Sequence, residues 1–162
     1  AKARRPDFLQ AGPVELADLT VESLAAARVL GDRRWRLDAL AEETVVADGE
    51  RLTQALMQLA QNAVAHTETG DAIEIGSAVR DGRIELWVHD TGPGVDDDVR
   101  EQIFDRFARG NGNPREGAGL GLAIVASIAE AHGGRVRLDS SPEQGATFTL
   151  DLPLRRPAGS RA

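Results

Sequence analysis

Four groups of residues in this chain are of types that can do chemistry. Asn62 carries an amide oxygen, a ligand suited to a hard divalent cation. Magnesium keeps several waters, takes few protein ligands and fills its shell with phosphate oxygens, so one asparagine could suffice. Asp90 is followed by Thr-Gly-Pro-Gly. Its carboxylate could accept a hydrogen bond from an exocyclic amine such as adenine's, and Gly92 and Gly94 would let a flat base lie against the backbone. Gly117, Gly119 and Gly121 alternate at the mouth of an apolar segment with helical character. Free N–H groups and the positive dipole end attract phosphate there. Between the glycine clusters runs a polar stretch, and Arg106, Arg109 and Arg115 within it are cations that grip phosphate bidentately.

Each group also has a plainer reading. A lone asparagine on a helix is more often a surface or capping amide, an Asp-Thr-Gly run is often a turn, and any one loop arginine is usually solvated. Phe104 and Phe107 are more often core than anything else. A dinucleotide fingerprint would need a glycine at 122, which is Leu122, and a strand directly before it; no Walker A run is present. His66, His89 and His132 lack zinc-ligand spacing, and no nucleophile elbow is visible. Together, two glycine clusters around a polar loop suggest a nucleotide clamp.

The bulk composition narrows the classes. The chain has 162 residues, enough for one domain with a real core. Of its 17 glycines, Gly92, Gly94, Gly110, Gly112, Gly117, Gly119 and Gly121 fall between residues 90 and 124, so the excess is local. A formal net charge of -7 argues against a general nucleic-acid binder. With no cysteine there is neither a disulfide framework nor a thiolate metal site. No apolar run reaches the roughly 20 residues that cross a bilayer. The chain starts at Ala1 without methionine, so an excised fragment of a larger protein is expected.

The elements that must position these residues follow from periodicity. Residues 1–12 read as a linker, and Pro13 to Leu30 as a helix with Thr20 and Ser23 on its polar side. Arg34 to Asp38 and Glu43 to Ala47 read as short strands. Asp48 is an N-cap for a helix over Gly49 to His66, whose apolar stripe is Leu52, Leu56, Leu59 and Ala63. Gln58, Asn62 and Ala65/His66 form a neighbouring stripe on it. Two alternating runs around Asp81-Gly82 predict a hairpin that delivers Asp90 at its end. A short helix over Asp96 to Phe104, a buried helix over Gly119 to His132 ended by Gly133-Gly134, a final strand pair and a polar tail from Arg155 complete the chain. Five to seven strands and three to four helices without strict βαβ alternation predict an α+β fold, with helices on one face of a mixed sheet.

In this order, the motifs resemble the catalytic ATP-binding domain of sensor histidine kinases, within the superfamily of gyrase, heat-shock chaperone, histidine kinase and MutL. The matching runs are Gln58 to Ala63, Asp90 to Gly94, Phe104 to Arg109 and Gly117 to Ile124, closed by Gly145 to Pro153. The resemblance implies a Bergerat-type α/β sandwich with a flexible ATP lid over residues 13–154. It implies a preceding helical dimerisation and phosphoacceptor domain to which residues 1–12 are the linker, and a polar tail at 155–162. It implies Mg²⁺ on Asn62, the adenine amine on Asp90, a base pocket shaped by Gly92 and Gly94, and ATP phosphates on Gly117, Gly119, Leu120 and Gly121. By the same resemblance Thr147 reaches the adenine side and Arg109 the phosphates. It also implies a cytoplasmic location on a membrane-anchored parent, and a response regulator as partner.

Three departures from the pattern stand out. Gln58 replaces the usual asparagine, Ala65 the usual basic residue, and His66 a common aromatic, where it could stack or hydrogen-bond. Weaker nucleotide affinity is expected. Gln58 also stands where hydrolytic and serine-kinase relatives carry a glutamate, and a neutral amide cannot act as that general base. The expected activity is transfer of the γ-phosphoryl group to a histidine on the separate domain. A degenerate nucleotide-binding module, an anti-sigma-type serine kinase and a clamp ATPase are the alternatives.

Overall fold

The computed structural model describes residues 9–91, 116–141 and 143–159, with only the backbone of 116–120. Gly92, Gly94, Phe107, Arg109 and the helix expected from Asp96 to Phe104 lie outside the described residues.

Seven strands and three α-helices are described. They run β1 (Gly12–Glu15), α1 (Leu16–Ala27), a 3-10 turn (Arg28–Leu30), β2 (Arg34–Leu37), β3 (Thr44–Ala47), α2 (Gly49–Ala65), β4 (Ala72–Arg80), β5 (Arg83–Asp90), α3 (Glu116–Ala131), β6 (Arg135–Ser141) and β7 (Gly145–Pro153). Five strands form a mixed sheet in the order β2-β4-β5-β7-β6. Only β2 and β4 are parallel within it. β1 and β3 make a separate antiparallel pair.

The sheet's two faces follow from strand alternation. Ile73 and Ile75 of β4, Ile84, Leu86 and Val88 of β5, and Phe148, Leu150 and Leu152 of β7 point inward. There they join Leu52, Leu56 and Leu59 of α2 and Val125 and Ile128 of α3 in one core. The opposite face carries Glu85, Trp87, His89, Arg137, Thr147 and Thr149.

Local signals set several boundaries as expected. Asp48 caps α2 by accepting the Arg51 N–H at 3.2 Å. Asp81 and Gly82 both have positive φ, 55° and 74°, the geometry of a tight type I′ hairpin turn. α3 ends in a Schellman arrangement, Gly134 N–H to Ala129 O at 2.8 Å and Gly133 N–H to Glu130 O at 2.9 Å.

The first helix departs from expectation twice. Pro13 to Glu15 is strand, not helix, because it pairs with Val46, Val45 and Thr44 of β3. Thr20 and Ser23 are fully buried, whereas Val21 is 47% exposed. The buried positions Leu16, Leu19, Thr20, Ser23, Leu24 and Ala27 follow the i, i+3, i+4 stripe faithfully, so the stripe itself carries two hydroxyls. Thr20 Oγ1 lies 2.6 Å from Leu16 O and 2.8 Å from Ser77 Oγ, and the Ala41 N–H reaches Ser77 Oγ at 3.0 Å. One hydroxyl proton cannot serve both neighbours. Leu16 O can only accept, so Thr20 donates to it and Ser77 donates to Thr20. The chain ends also engage more than a linker and tail would. The Gln10 N–H reaches Asp48 Oδ2 at 2.8 Å, and Arg155 O accepts the Val46 N–H at 2.8 Å.

Candidate functional site

Asn62 lies one turn before the end of α2 and is 4% exposed. Its Oδ1 has no hydrogen-bond partner among the described residues. A buried amide oxygen left bare costs about 1–3 kcal/mol, so an acceptor-seeking group is the natural complement. Ser23 Oγ, on α1, is also without a partner among the described residues. A hard cation fits the chemistry of the Asn62 oxygen.

The half-buried Gln58 sits one turn earlier on the same stripe. Its Oε1 would lie 2.5 Å from a Cβ placed on Gly121, so this glycine is what lets α3 approach α2 there. α3 begins at Glu116, three residues before the start expected at Gly119. Gly117 is therefore inside the helix's first turn with Gly119, rather than ahead of it. The N–H groups of its first turn, Glu116 to Ala118, have no acceptor within the helix, the arrangement by which a helix start meets an anion.

Asp90 ends β5, is 3% exposed and follows Ile84, Leu86 and Val88 in alternation, which turns its side chain to the helix side. The loop 66–71 joins the end of α2 to the start of β4, where Ile73 pairs with Asp90. Thr91 closes this end: its N–H reaches Ala72 O at 3.1 Å, and its Oγ1 accepts the Ala72 N–H at 3.0 Å. Asn62, Asp90 and the start of α3 thus lie at the same end of the sandwich. His66, at the C-cap of α2, turns Nδ1 to Asn62 O at 2.8 Å, so that nitrogen carries the proton and the ring is steered by the very residue it neighbours.

Thr147 requires a correction. It pairs with His89 in register, and its Oγ1 lies 2.7 Å from His89 Nδ1 on the sheet face away from the helices. The sheet separates it from Asp90. The inner-face residue opposite Asp90 is Ala146. One position further back, Gly145 has φ 86°, and a Cβ there would meet Asp90 O at 1.9 Å.

Sequence reasoning also missed Arg33. Its guanidinium reaches Val64 O at 3.1 Å, Thr67 O at 3.0 Å and Thr67 Oγ1 at 2.8 Å, capping the carbonyl end of α2 with a charge of favourable sign. An arginine thirty residues upstream of that helix end gives no local signal. With these bonds made, Arg33 is spoken for, and exposed Ala65 supplies no cation in its place.

The sandwich and the arrangement at its end define a class: the chain belongs to the histidine kinase-, DNA gyrase B- and HSP90-like ATPase family, whose model matches residues 47–156. Among curated relatives it is 38% identical to the probable sensor histidine kinase TcrY of Mycobacterium tuberculosis, over 90% of this chain and 32% of that protein. Among solved structures it is similar to the mycobacterial sensor histidine kinase MprB, with a TM-score of 0.74, 27% identity, and coverage of 91% of this chain and 100% of that one. It is also similar to full-length ShkA in complex with AMPPNP, with a TM-score of 0.76, 34% identity, and coverage of 93% of this chain and 32% of that one. The chain spans about a third of the length of the TcrY protein it matches. The α+β sandwich with a mixed sheet expected from the motifs is the fold found.

Proposed function

We propose that this chain is the ATP-binding catalytic domain of a two-component sensor histidine kinase. It binds Mg-ATP and passes the γ-phosphoryl group to a histidine on a separate helical dimerisation domain of the same parent, from which an aspartate of a response regulator receives it. The observation that carries this reading is the buried Asn62 Oδ1, without a partner among the described residues, at the end of the sandwich where Asp90 and the start of α3 also lie. The names of the relatives and the nucleotide analogue held by ShkA support it.

In this reading Asn62 holds Mg²⁺, which when bound neutralises charge on the phosphates. Asp90 accepts the adenine amine, and the first N–H groups of α3, with Gly117, Gly119, Leu120 and Gly121 along them, face the phosphates. Gly92, Gly94 and Arg109 keep the base-pocket and lid roles that the resemblance implies, and His66 borders the nucleotide. Phosphoryl transfer is mostly positioning and charge neutralisation: the bond from γ-phosphorus to the bridging oxygen breaks, a phosphorus–nitrogen bond forms, and ADP leaves. Gln58 is neutral, so water is not activated, and hydrolysis by the chain alone is slow. No helix among the described residues is long and apolar enough to cross a membrane. The domain works at the cytoplasmic side of a membrane-anchored parent.

Mixing the chain with its acceptor domain and labelled ATP tests the proposal. An acid-labile, base-stable phosphoprotein is expected. Acid-stable phosphoserine would point instead to a serine kinase. The exposed Ala65, where the family pattern has a cation, favours a second reading, a nucleotide-binding module without transfer; tight Mg-ATP binding with no label on any acceptor would select it.

A further inference from the structure

At the far end of the helix pair from Asn62 lies a buried contact that the nucleotide chemistry does not use. His132, at the C-cap of α3, is buried. Its Nδ1 lies 2.8 Å from Ile128 O, and its Nε2 lies 3.1 Å from the Asp48 backbone nitrogen. A carbonyl only accepts and an amide N–H only donates, so the ring carries its proton on Nδ1 and accepts at Nε2. Asp48 is the N-cap of α2, and its carboxylate is already engaged by the N–H groups of Arg51 and Gln10. The imidazole therefore ties the C-cap of α3 to the N-cap of α2.

The two helices run antiparallel, since the end of α3 meets the start of α2 while Gly121, near the start of α3, meets Gln58. At their other end Gly121 presents no side chain and Gln58 packs directly against it. Leu122, Val125 and Ile128 share the apolar core with α2, and the His132–Asp48 bond adds a directional tie to that non-directional packing. Asn62 lies fourteen residues along α2, about 20 Å from the Asp48 end. We infer that His132 is a positioning residue: by fixing the axial register of α3 against α2, it sets the spacing between the Asn62 oxygen and the phosphate-facing first turn of α3. The inference rests on the nucleotide reading above. It concerns only the metal–triphosphate part of the ligand, because Asp90 is held by the sheet.

Two substitutions separate this role from an ordinary helix cap. His132→Gln places an acceptor near the Nε2 position and keeps the bond to Asp48. His132→Asn places a donor near the Nδ1 position and keeps only the local bond to Ile128 O. In the full chain, calorimetry with Mg-ATP, metal-free ATP and adenosine is compared. His132→Asn is expected to weaken Mg-ATP about fivefold, the worth of one hydrogen bond, with adenosine unchanged and His132→Gln near wild type. Asn rescuing better than Gln, or all three ligands weakening in parallel, overturns the inference. Hydrogen exchange in the unmodified chain provides a test that needs no variant. Protection of the Asp48 amide should rise on adding Mg-ATP and not on adding adenosine, because coupling between two sites is reciprocal. Equal protection with both ligands also overturns it. A wild-type chain that fails to bind Mg-ATP at all would sink the nucleotide reading itself, a result distinct from either of these.

Discussion

The two faces of the central sheet handle polar groups in opposite ways. On the outer face, Glu85 and Asp151 stand directly opposite each other across β5 and β7, a like-charge pair that would repel. Arg137 on β6 reaches Glu85 at 3.1 Å and Asp151 at 3.4 Å, while Arg80 pairs with Glu85 and Arg83 with Asp151, both at 2.8 Å. Trp87 lies over Gly76 and donates its indole N–H to Asp38 at 2.9 Å. Its acids and bases answer one another. On the helix side, by contrast, the buried Asn62 oxygen has no partner among the described residues. Outer polarity is answered mostly by ion pairs, Arg137 Nε being the one buried outer side-chain atom among the described residues that makes no hydrogen bond, whereas the inner Asn62 oxygen is met by neither ion pair nor hydrogen bond among them.

Substitutions can break or sharpen that contrast. The largest effect belongs to Asp90→Ala, which removes a charged hydrogen-bond acceptor and should weaken adenine-nucleotide binding about 100-fold by calorimetry. Asn62→Ala comes next. Mg-ATP affinity should fall about tenfold, to the metal-free level, while thermal stability holds or rises because an unsatisfied oxygen is gone. Gly121→Ala should cost only about threefold in nucleotide affinity, since the group it meets is the movable end of Gln58. Arg137→Met on the outer face should leave nucleotide binding unchanged. It should cost about 1 kcal/mol in a urea melt, and less at high salt, because Glu85 and Asp151 would then confront each other with fewer cations between them. Loss of binding in Arg137→Met would erase the distinction between the faces.

How far the sequence could be read depended on how local each cause was. The α2 stripe with its Asp48 cap, the Asp81-Gly82 turn and the Gly133-Gly134 stop are decided within a few residues, and all three were readable. β1 was not, because Val14 and Leu16 continue a helical pattern and only pairing with β3 makes Pro13 to Glu15 extended. The rotation of α1 was hidden because the partner of Thr20 is Ser77, 57 residues away. Thr147 was misplaced for a simpler reason: strand alternation sends it and Ala146 to opposite faces, and a motif match does not register one step of pleat. Of the candidate site residues named from the sequence, the fold brings Asn62, Gln58 and Asp90 to one end of the sandwich. The Arg33 grip on α2 and the closeness of Gly145 to Asp90 could not be read from the sequence, since neither is visible without the fold.

The short connection between α2 and β4 has a thermodynamic consequence. Arg33 holds its first half through the Val64 and Thr67 carbonyls, and Thr91 staples its far end at Ala72. The connection between the helix that bears Asn62 and the strand that pairs with Asp90 is therefore tied at both ends, and on the proposed reading little entropy is lost there when nucleotide binds. Releasing that grip with Arg33→Ala would loosen the platform, so any affinity lost should register in calorimetry as a larger entropic penalty with a nearly constant enthalpy.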